Sequence, residues 1–205
     1  MKQIDVHIDF ACPFSYIGGE KVIQFLEKEN LPLSSVIFRS YQLQPNDDNQ
    51  QPNYLMNRFK ASGMPSVEEY IQFFNHGIGM SAREIGLNYD VEKVISKNSR
   101  LAHIGLQYAQ EQGKHTEYFR KVMSAHWEEG KDYSDPTVIE GILEELGLNL
   151  DTFNQNRDKY DALVTQDIDL ADKRHIRGVP AFYKDSILPL KSNSTFEEFK
   201  TVFSA

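Results

Sequence analysis

One cysteine, Cys12, is all the thiol chemistry this 205-residue chain possesses. Neither an intramolecular disulfide nor a Cys-x-x-Cys pair can form from it. Basic residues are also scarce. With 22 Lys and Arg against 30 Asp and Glu the net charge is −8, and no basic cluster offsets it, which argues against a nucleic-acid partner. No apolar run approaches the roughly 18–20 residues that span a bilayer, and the first residues enter a strand pattern without a signal peptide. His115, His126 and His175 show no metal-ligand spacing with a cysteine, so no metal site is expected. There is no convincing internal repeat. The remainder is ordinary globular composition, 40% hydrophobic and 25% charged, in a chain long enough to bury a real core. The expectation is a cytoplasmic protein that makes no membrane contact.

The chain is organised around Asp9-Phe10-Ala11-Cys12-Pro13-Phe14-Ser15-Tyr16-Ile17-Gly18-Gly19. Before it, Ile4, Val6, Ile8 and Phe10 alternate as in a half-buried strand. After it, Ile17, Val22, Phe25 and Leu26 recur at helical spacing until Asn30 and Pro32 stop the run. Cys12 thus sits where a strand gives way to a helix, with Pro13 suited to the first helical position. A sulfur at the N-cap can accept hydrogen bonds from the free amides of Phe14 and Ser15. The helix dipole favours a thiolate there by about 0.3–1 kcal/mol and at most about 2, or one to one and a half pKa units. The Ser15 hydroxyl, one turn on, is placed to donate a further bond. The commoner fate of a lone cysteine is burial as an inert core residue. The strand–Cys–Pro–helix context favours a reactive thiolate instead. Asp9, three residues before Cys12, would raise the thiol pKa if its charge came close, but reads more simply as a strand-end hydrogen-bonding residue.

Further along, Val36 to Tyr41 reads as a second strand. Gln44 to Asn53 is polar and aperiodic, a linker or exposed crossover. From about residue 54 to 165 the pattern is helical. Ser66 and Glu69 form a capping box before Tyr70, Ile71 and Phe74, and Asp135 caps a helix opened by Pro136. Asp151 opens a longer helix through Tyr160, Val164 and Ala171. Strand character returns at Val179–Tyr183 and Ile187–Leu190, a plausible hairpin. Ser194 and Glu197 then make a capping box for a last helix with Phe196, Phe199 and Phe203 inward. Strands at both ends of a helical middle predict one α/β domain, residues 1–50 with 170–205, interrupted by an all-helical insertion over 54–169.

Cys12-Pro13-Phe14-Ser15-Tyr16-Ile17-Gly18 after an Asp-containing strand resembles the Cys-Pro-Trp-Cys-Tyr-Ile-Gly site of the DsbA-like thioredoxin superfamily, especially its cytoplasmic FrnE-like branch. Arg177-Gly178-Val179-Pro180-Ala181-Phe182 is similar to that family's Gly-Val-Pro-(Thr/Ala)-Phe segment, which carries a cis-proline facing the active cysteine. Asn98 to His103 resembles the Asn-Thr-x-x-Ala-His stretch of the inserted helices. The resemblance implies a thioredoxin fold and an oxidoreductase acting by thiol–disulfide exchange on a protein or small-molecule disulfide. It makes Cys12, Ser15 and Pro180 the catalytic candidates. Pro13, Phe14, Val179 and His103 are the candidates for substrate or thiol binding.

Ser15 stands where the family has its second cysteine. The implied mechanism is therefore monothiol. Cys12 forms a mixed disulfide that glutathione or another low-molecular-weight thiol resolves as co-substrate, with no tightly bound cofactor. Kappa-class glutathione transferases and 2-hydroxychromene-2-carboxylate isomerases share the fold with a Ser-Pro-(Tyr/Trp)-Ser-Tyr type site. In that alternative a bound thiol is the nucleophile and Cys12 holds or polarises it. A third reading is a chaperone-like binding protein in which Cys12 is incidental. The monothiol glutaredoxin motif Cys-Gly-Phe-Ser is also similar, but Pro13 and the insertion are foreign to it. His103 reads first as a packing histidine, with proton relay to the thiol the minority role. His7 is expected at a surface or edge. Phe73, Phe74, Trp127 and Tyr133 read as bundle core, some of them able to line the Cys12 cleft. Both a monomer and a homodimer are compatible with the sequence.

Overall fold

The computed structural model describes residues 3–46, 54–95 and 97–204. Strand β1 (Ile4–Ile8) leads through helix α1 (Pro13–Lys28) to β2 (Val36–Ser40), which pairs parallel to β1, Ile4 opposite Val36. Strand β3 (Ala181–Tyr183) closes the other side of β1 antiparallel, giving a three-stranded sheet in the order β2-β1-β3. Between β2 and β3 lie α2 (Tyr54–Ser62), α3 (Val67–His76), α4 (Ile78–Arg83), α5 (Arg100–Glu111), α6 (His115–Trp127), α7 (Pro136–Glu145), α8 (Leu150–Gln155) and α9 (Arg157–Lys173). Helix α10 (Phe196–Ser204) ends the described chain. This is the mixed α/β architecture of a thioredoxin-like fold carrying a helical insertion.

The strand and helix signals translate directly where they are local. Ser66 accepts a hydrogen bond from the Glu69 amide at the start of α3, and Asp135 caps α7 through the Thr137 amide. Four expectations shift. The box at α10 slides one residue, pairing Thr195 with Glu198, because Ser194 instead accepts from the Lys191 amide within the preceding turn. The helix expected from Asp151 is two, α8 capped by Asn149 and α9 beginning after Asn156. The C-terminal hairpin shrinks to the single bridge Tyr183–Ile187, with the Leu188 amide donating to Phe182 O at 2.8 Å. Of the expected linker Gln44–Asn53, residues 47–53 lie outside the described residues.

His7 is the fourth. It is fully buried, because β1 is the central strand and Arg174, just beyond the end of α9, lies against it. Arg174 donates to His7 Nε2 at 3.1 Å while pairing with Asp5. Burial, with help from the neighbouring guanidinium, lowers the His7 pKa to about 4.

Helix α5 is buried along most of its length, so its hydrophobic positions do not trace one stripe. It packs on α6, α7 and α9 and reaches the sheet end through Gln107, which donates to Asp167 and Ser40. The α1–α6 crossing depends on Gly19. A Cβ there would lie 2.3 Å from Cζ of Phe119, a ring fully buried and stacked on Phe38. Beside this contact Arg120 of α6 forks both Glu20 and Glu27 of α1. One hydrophobic core runs from the sheet through α1 into the helices.

Two stability predictions follow from these contacts. Gly19→Ala overpacks the crossing and should cost about 1–3 kcal/mol in urea unfolding. Unchanged stability would mean that the helices separate without penalty. For His7 the folded pKa lies below the unfolded value of about 6.5, so its contribution is full above that pH and is lost as pH falls towards 4. Unfolding midpoints should drop across that window, by up to about 3 kcal/mol from this residue. The drop should shrink in His7→Gln.

Candidate active site

Cys12 is the N-cap of α1, with extended backbone (φ −105°, ψ 115°) and Pro13 at the first helical position. Its own amide donates to Asp9 O at 3.0 Å, closing a tight turn between β1 and α1. The sulfur is turned across the cleft, where the thiol donates to Val179 O at 3.4 Å. The Val179–Pro180 peptide bond is cis. Gly18 lets the proline ring seat on α1, since a Cβ there would meet Pro180 Cγ at 2.8 Å. Ser15 is buried beneath the sulfur. Its oxygen accepts from the Asp9 amide at 3.2 Å, leaving the hydroxyl proton for Cys12.

Burial has the largest influence on the thiol and pushes its pKa above the ordinary value. The hydroxyl and amide of Ser15 and the amide of Phe14 pull it back in part, while the Asp9 charge pushes it further up. The acidic thiol expected from the N-cap position is thereby corrected. The residue is only 5% exposed, and removing a thiolate from water outweighs what two amides, a hydroxyl and the helix dipole return.

Asp9 has a larger part than its strand-end position suggests. Its carboxylate accepts from the Ala11 amide at 3.2 Å, from the Leu43 amide at 2.7 Å and from His103 Nε2 at 3.4 Å. Burial alone would raise its pKa. The His103 ring and the Leu43 amide more than offset that, and the carboxyl is held below its usual range. Asp9 therefore ties the cysteine turn to the segment leaving β2. His103 is fully buried against the Phe10 ring, 4.9 Å between centroids, and its polar contact with the turn is the bond to Asp9. Its burial agrees with the packing role that the sequence suggests first for this histidine.

The helices grip the same turn from the other side. Trp127 Nε1 of α6 donates to Phe10 O at 3.0 Å, and the Tyr89 hydroxyl donates to Pro13 O at 2.7 Å. The two rings lie 5.3 Å apart, and Tyr54 of α2 stands edge-on to Trp127 at 5.3 Å. Tyr89 and Tyr54 carry no sequence signal separating them from core aromatics. Trp127 has only the general requirement that a buried indole N–H find an acceptor. Phe73 and Phe74 part company, the first exposed and the second buried.

The start of α1, Cys12 to Ser15, and the Val179–Pro180 bond are thus brought together, with the Phe14 ring 43% exposed. Among the described residues no group of three or more His, Cys, Asp or Glu side chains converges as metal ligands. No described helix is long and apolar enough to cross a membrane.

Alkylation of Cys12 by iodoacetamide should keep accelerating beyond about pH 8.5, the value for an unperturbed thiol. Ser15→Ala, which removes a donor to the thiolate, should move the curve to still higher pH. A plateau near neutrality would contradict the burial argument.

No curated protein sequence matches the chain. Solved structures do. A probable DsbA oxidoreductase from Streptomyces coelicolor superposes with a TM-score of 0.81 at 21% identity, covering 100% of this chain and 89% of its own. A 2-hydroxychromene-2-carboxylate isomerase gives 0.69 at 17%, covering 98% and 94%. The cytosolic disulfide reductase DsbM of Pseudomonas aeruginosa, solved with GSH, gives 0.58 at 16%, covering 91% and 89%. At these identities the likeness is one of fold. The model of the DSBA-like thioredoxin domain matches residues 3–199, and with sheet, cysteine turn and proline loop in the arrangement described, the chain belongs to that family.

Proposed function

We propose that the protein is a monothiol oxidoreductase of the FrnE-like kind that reduces disulfides through Cys12 at the expense of a small thiol such as glutathione. The observation that carries this reading is the Cys12 sulfur at a helix N-terminus, 3.4 Å from Val179 O beside Pro180. A partner lying extended along Val179 would present its sulfur to Cys12, the main chain docking as an added strand. Cys12 thiolate attacks one sulfur of the substrate disulfide, forming a mixed disulfide and releasing the other sulfur as a thiolate. A small thiolate then attacks the Cys12 sulfur and expels the second substrate thiolate. A second small thiolate attacks the bound small-thiol sulfur and restores Cys12 thiolate. One substrate disulfide is reduced, two small thiols become one disulfide, and the protons lost by the small thiols reappear on the product thiols.

The raised thiol pKa slows this chemistry without abolishing it. Each unit above ambient pH lowers the thiolate fraction about tenfold and returns about threefold in nucleophilicity, a net loss of about threefold. Ser15 is the donor that limits the rise, and Phe14 and Pro13 form the wall against which the small thiol packs. The lone cysteine suits a reducing cytoplasm. The discontinuous division, 1–50 and 170–205 around 54–169, would place the sulfur on the sheet unit and its clamp on the helical one.

A second reading rests on the same upward shift. A neutral Cys12 thiol donates a hydrogen bond, as the holder of a bound thiolate must in a kappa-like transferase or isomerase. Disulfide reduction separates the two. With glutathione as reductant, wild type should turn over a mixed-disulfide substrate and yield a Cys12–glutathione adduct by mass spectrometry. Cys12→Ser should fall to the uncatalysed background. Retained glutathione conjugation or isomerisation in Cys12→Ser, with no reduction by wild type, would replace the first reading with the second.

A further inference from the structure

A small cavity of about 40 Å³ opens beside the cysteine turn, lined by Ala11, Leu43, Tyr54, Arg58, His126 and Tyr133 among others. A water needs roughly 10–15 Å³ by such a measure, so the space suits a group of a few heavy atoms and not a peptide segment. Arg58 is the one side chain in its described lining that is charged at neutral pH. His126 is held neutral there, burial lowering its pKa to about 4.

Arg39, Arg100, Arg120, Arg174 and Arg177 each pair with a carboxylate. No carboxylate of the described residues forms an ion pair with Arg58, Arg83 or Arg157, and of these three Arg58 is the one that lines the cavity. Its guanidinium lies over the Tyr54 ring, 5.5 Å from the centroid. Tyr54 leans on Trp127, and Trp127 is bonded to Phe10 O two residues before Cys12. The cation is thus linked to the cysteine turn through two aromatic rings. The protein as a whole carries −8, a field that repels anions, so an anionic co-substrate needs a local attraction.

We infer that Arg58 and the cavity beside Ala11 form a carboxylate subsite that selects carboxylate-bearing small thiols as the reactants at Cys12. This rests on the proposed exchange reading and names its co-substrate class. Arg58 is a specificity residue for the incoming molecule. Its planar fork binds a carboxylate through two N–H donors while the thiol of the same molecule meets the sulfur.

The test separates this inference from the function beneath it. Iodoacetate and iodoacetamide alkylate Cys12 by the same step, sulfur displacing iodide, and differ by a carboxylate. Their rate ratio cancels the thiolate fraction and needs no disulfide activity. In Arg58→Gln the iodoacetate-to-iodoacetamide ratio should fall about fivefold, the effect of one unit charge at about 4 Å in water. Arg58→Lys should keep part of it. Lys60→Gln removes an equal charge from the same helix outside the lining and should leave the ratio unchanged. An unchanged ratio in Arg58→Gln, or an equal fall in Lys60→Gln, overturns the subsite. A second arm needs no reaction at Cys12. Binding of S-methylglutathione, read from the fluorescence of Trp127, should weaken about fivefold in Arg58→Gln. No weakening there overturns the subsite as well, whereas a normal ratio shift without disulfide reduction by wild type sinks only the exchange reading.

Discussion

Two backbone carbonyls, those of Phe10 and Pro13, fix where the sulfur can be. Each accepts a hydrogen bond from an aromatic side chain of the helical region, the Trp127 indole and the Tyr89 hydroxyl. A turn between a strand and a helix carries unpaired carbonyls in any protein, and water normally satisfies them. Here the donors come from elements far along the chain and from rings that are themselves packed. The cysteine turn is therefore held from the helical side by Trp127 and Tyr89 and from the strand side by Asp9. Withdrawing either set would leave buried polar atoms unpaired, which costs about 1–3 kcal/mol for each such group.

The same enclosure explains the electrostatics. The helix N-terminus, the Ser15 hydroxyl and two amides all favour a thiolate at Cys12, yet desolvation has the larger effect and Asp9 adds to it. Asp9 escapes an equal fate because its carboxylate collects several donors, including the His103 ring and the Leu43 amide. Two acids in one turn are thus driven in opposite directions by what each faces, the His103 ring and the Leu43 amide for Asp9 and the Asp9 charge for Cys12. Cys12 is left as a thiol resting on Val179 O, on the side of the cleft where an extended partner would lie.

Local rules served well wherever the deciding partner was close in sequence. The alternation of Ile4, Val6 and Ile8, the Cys12–Pro13 helix start, and the caps at Ser66 and Asp135 all appear as read. They failed where a nearby competitor offered an equal bond. Thr195 displaced Ser194 as a cap because Ser194 already had a partner, and Asn149 caps α8 because Asp151 sits two residues inside the helix. His7 looked like an edge residue because alternation reports one face of a strand and cannot say how many layers cover the sheet.

The sequence by itself determined the fold class, the uniqueness of the thiol and its placement at the start of a helix. Those follow from periodicity, composition and the chemistry of proline, which act over a few residues. It also carried the family likeness at both the cysteine turn and the Val179–Pro180 loop. Only the tertiary structure decided the acidity of Cys12, the bond that joins His103 to Asp9, and the placement of Arg58 over the Tyr54 ring. Each depends on solvent exclusion or on partners far along the chain: the Leu43 amide donates to Asp9 across 34 residues, and the Val179 carbonyl accepts from Cys12 across 167. Desolvation depends on everything that surrounds an atom, and no short stretch of sequence encodes that.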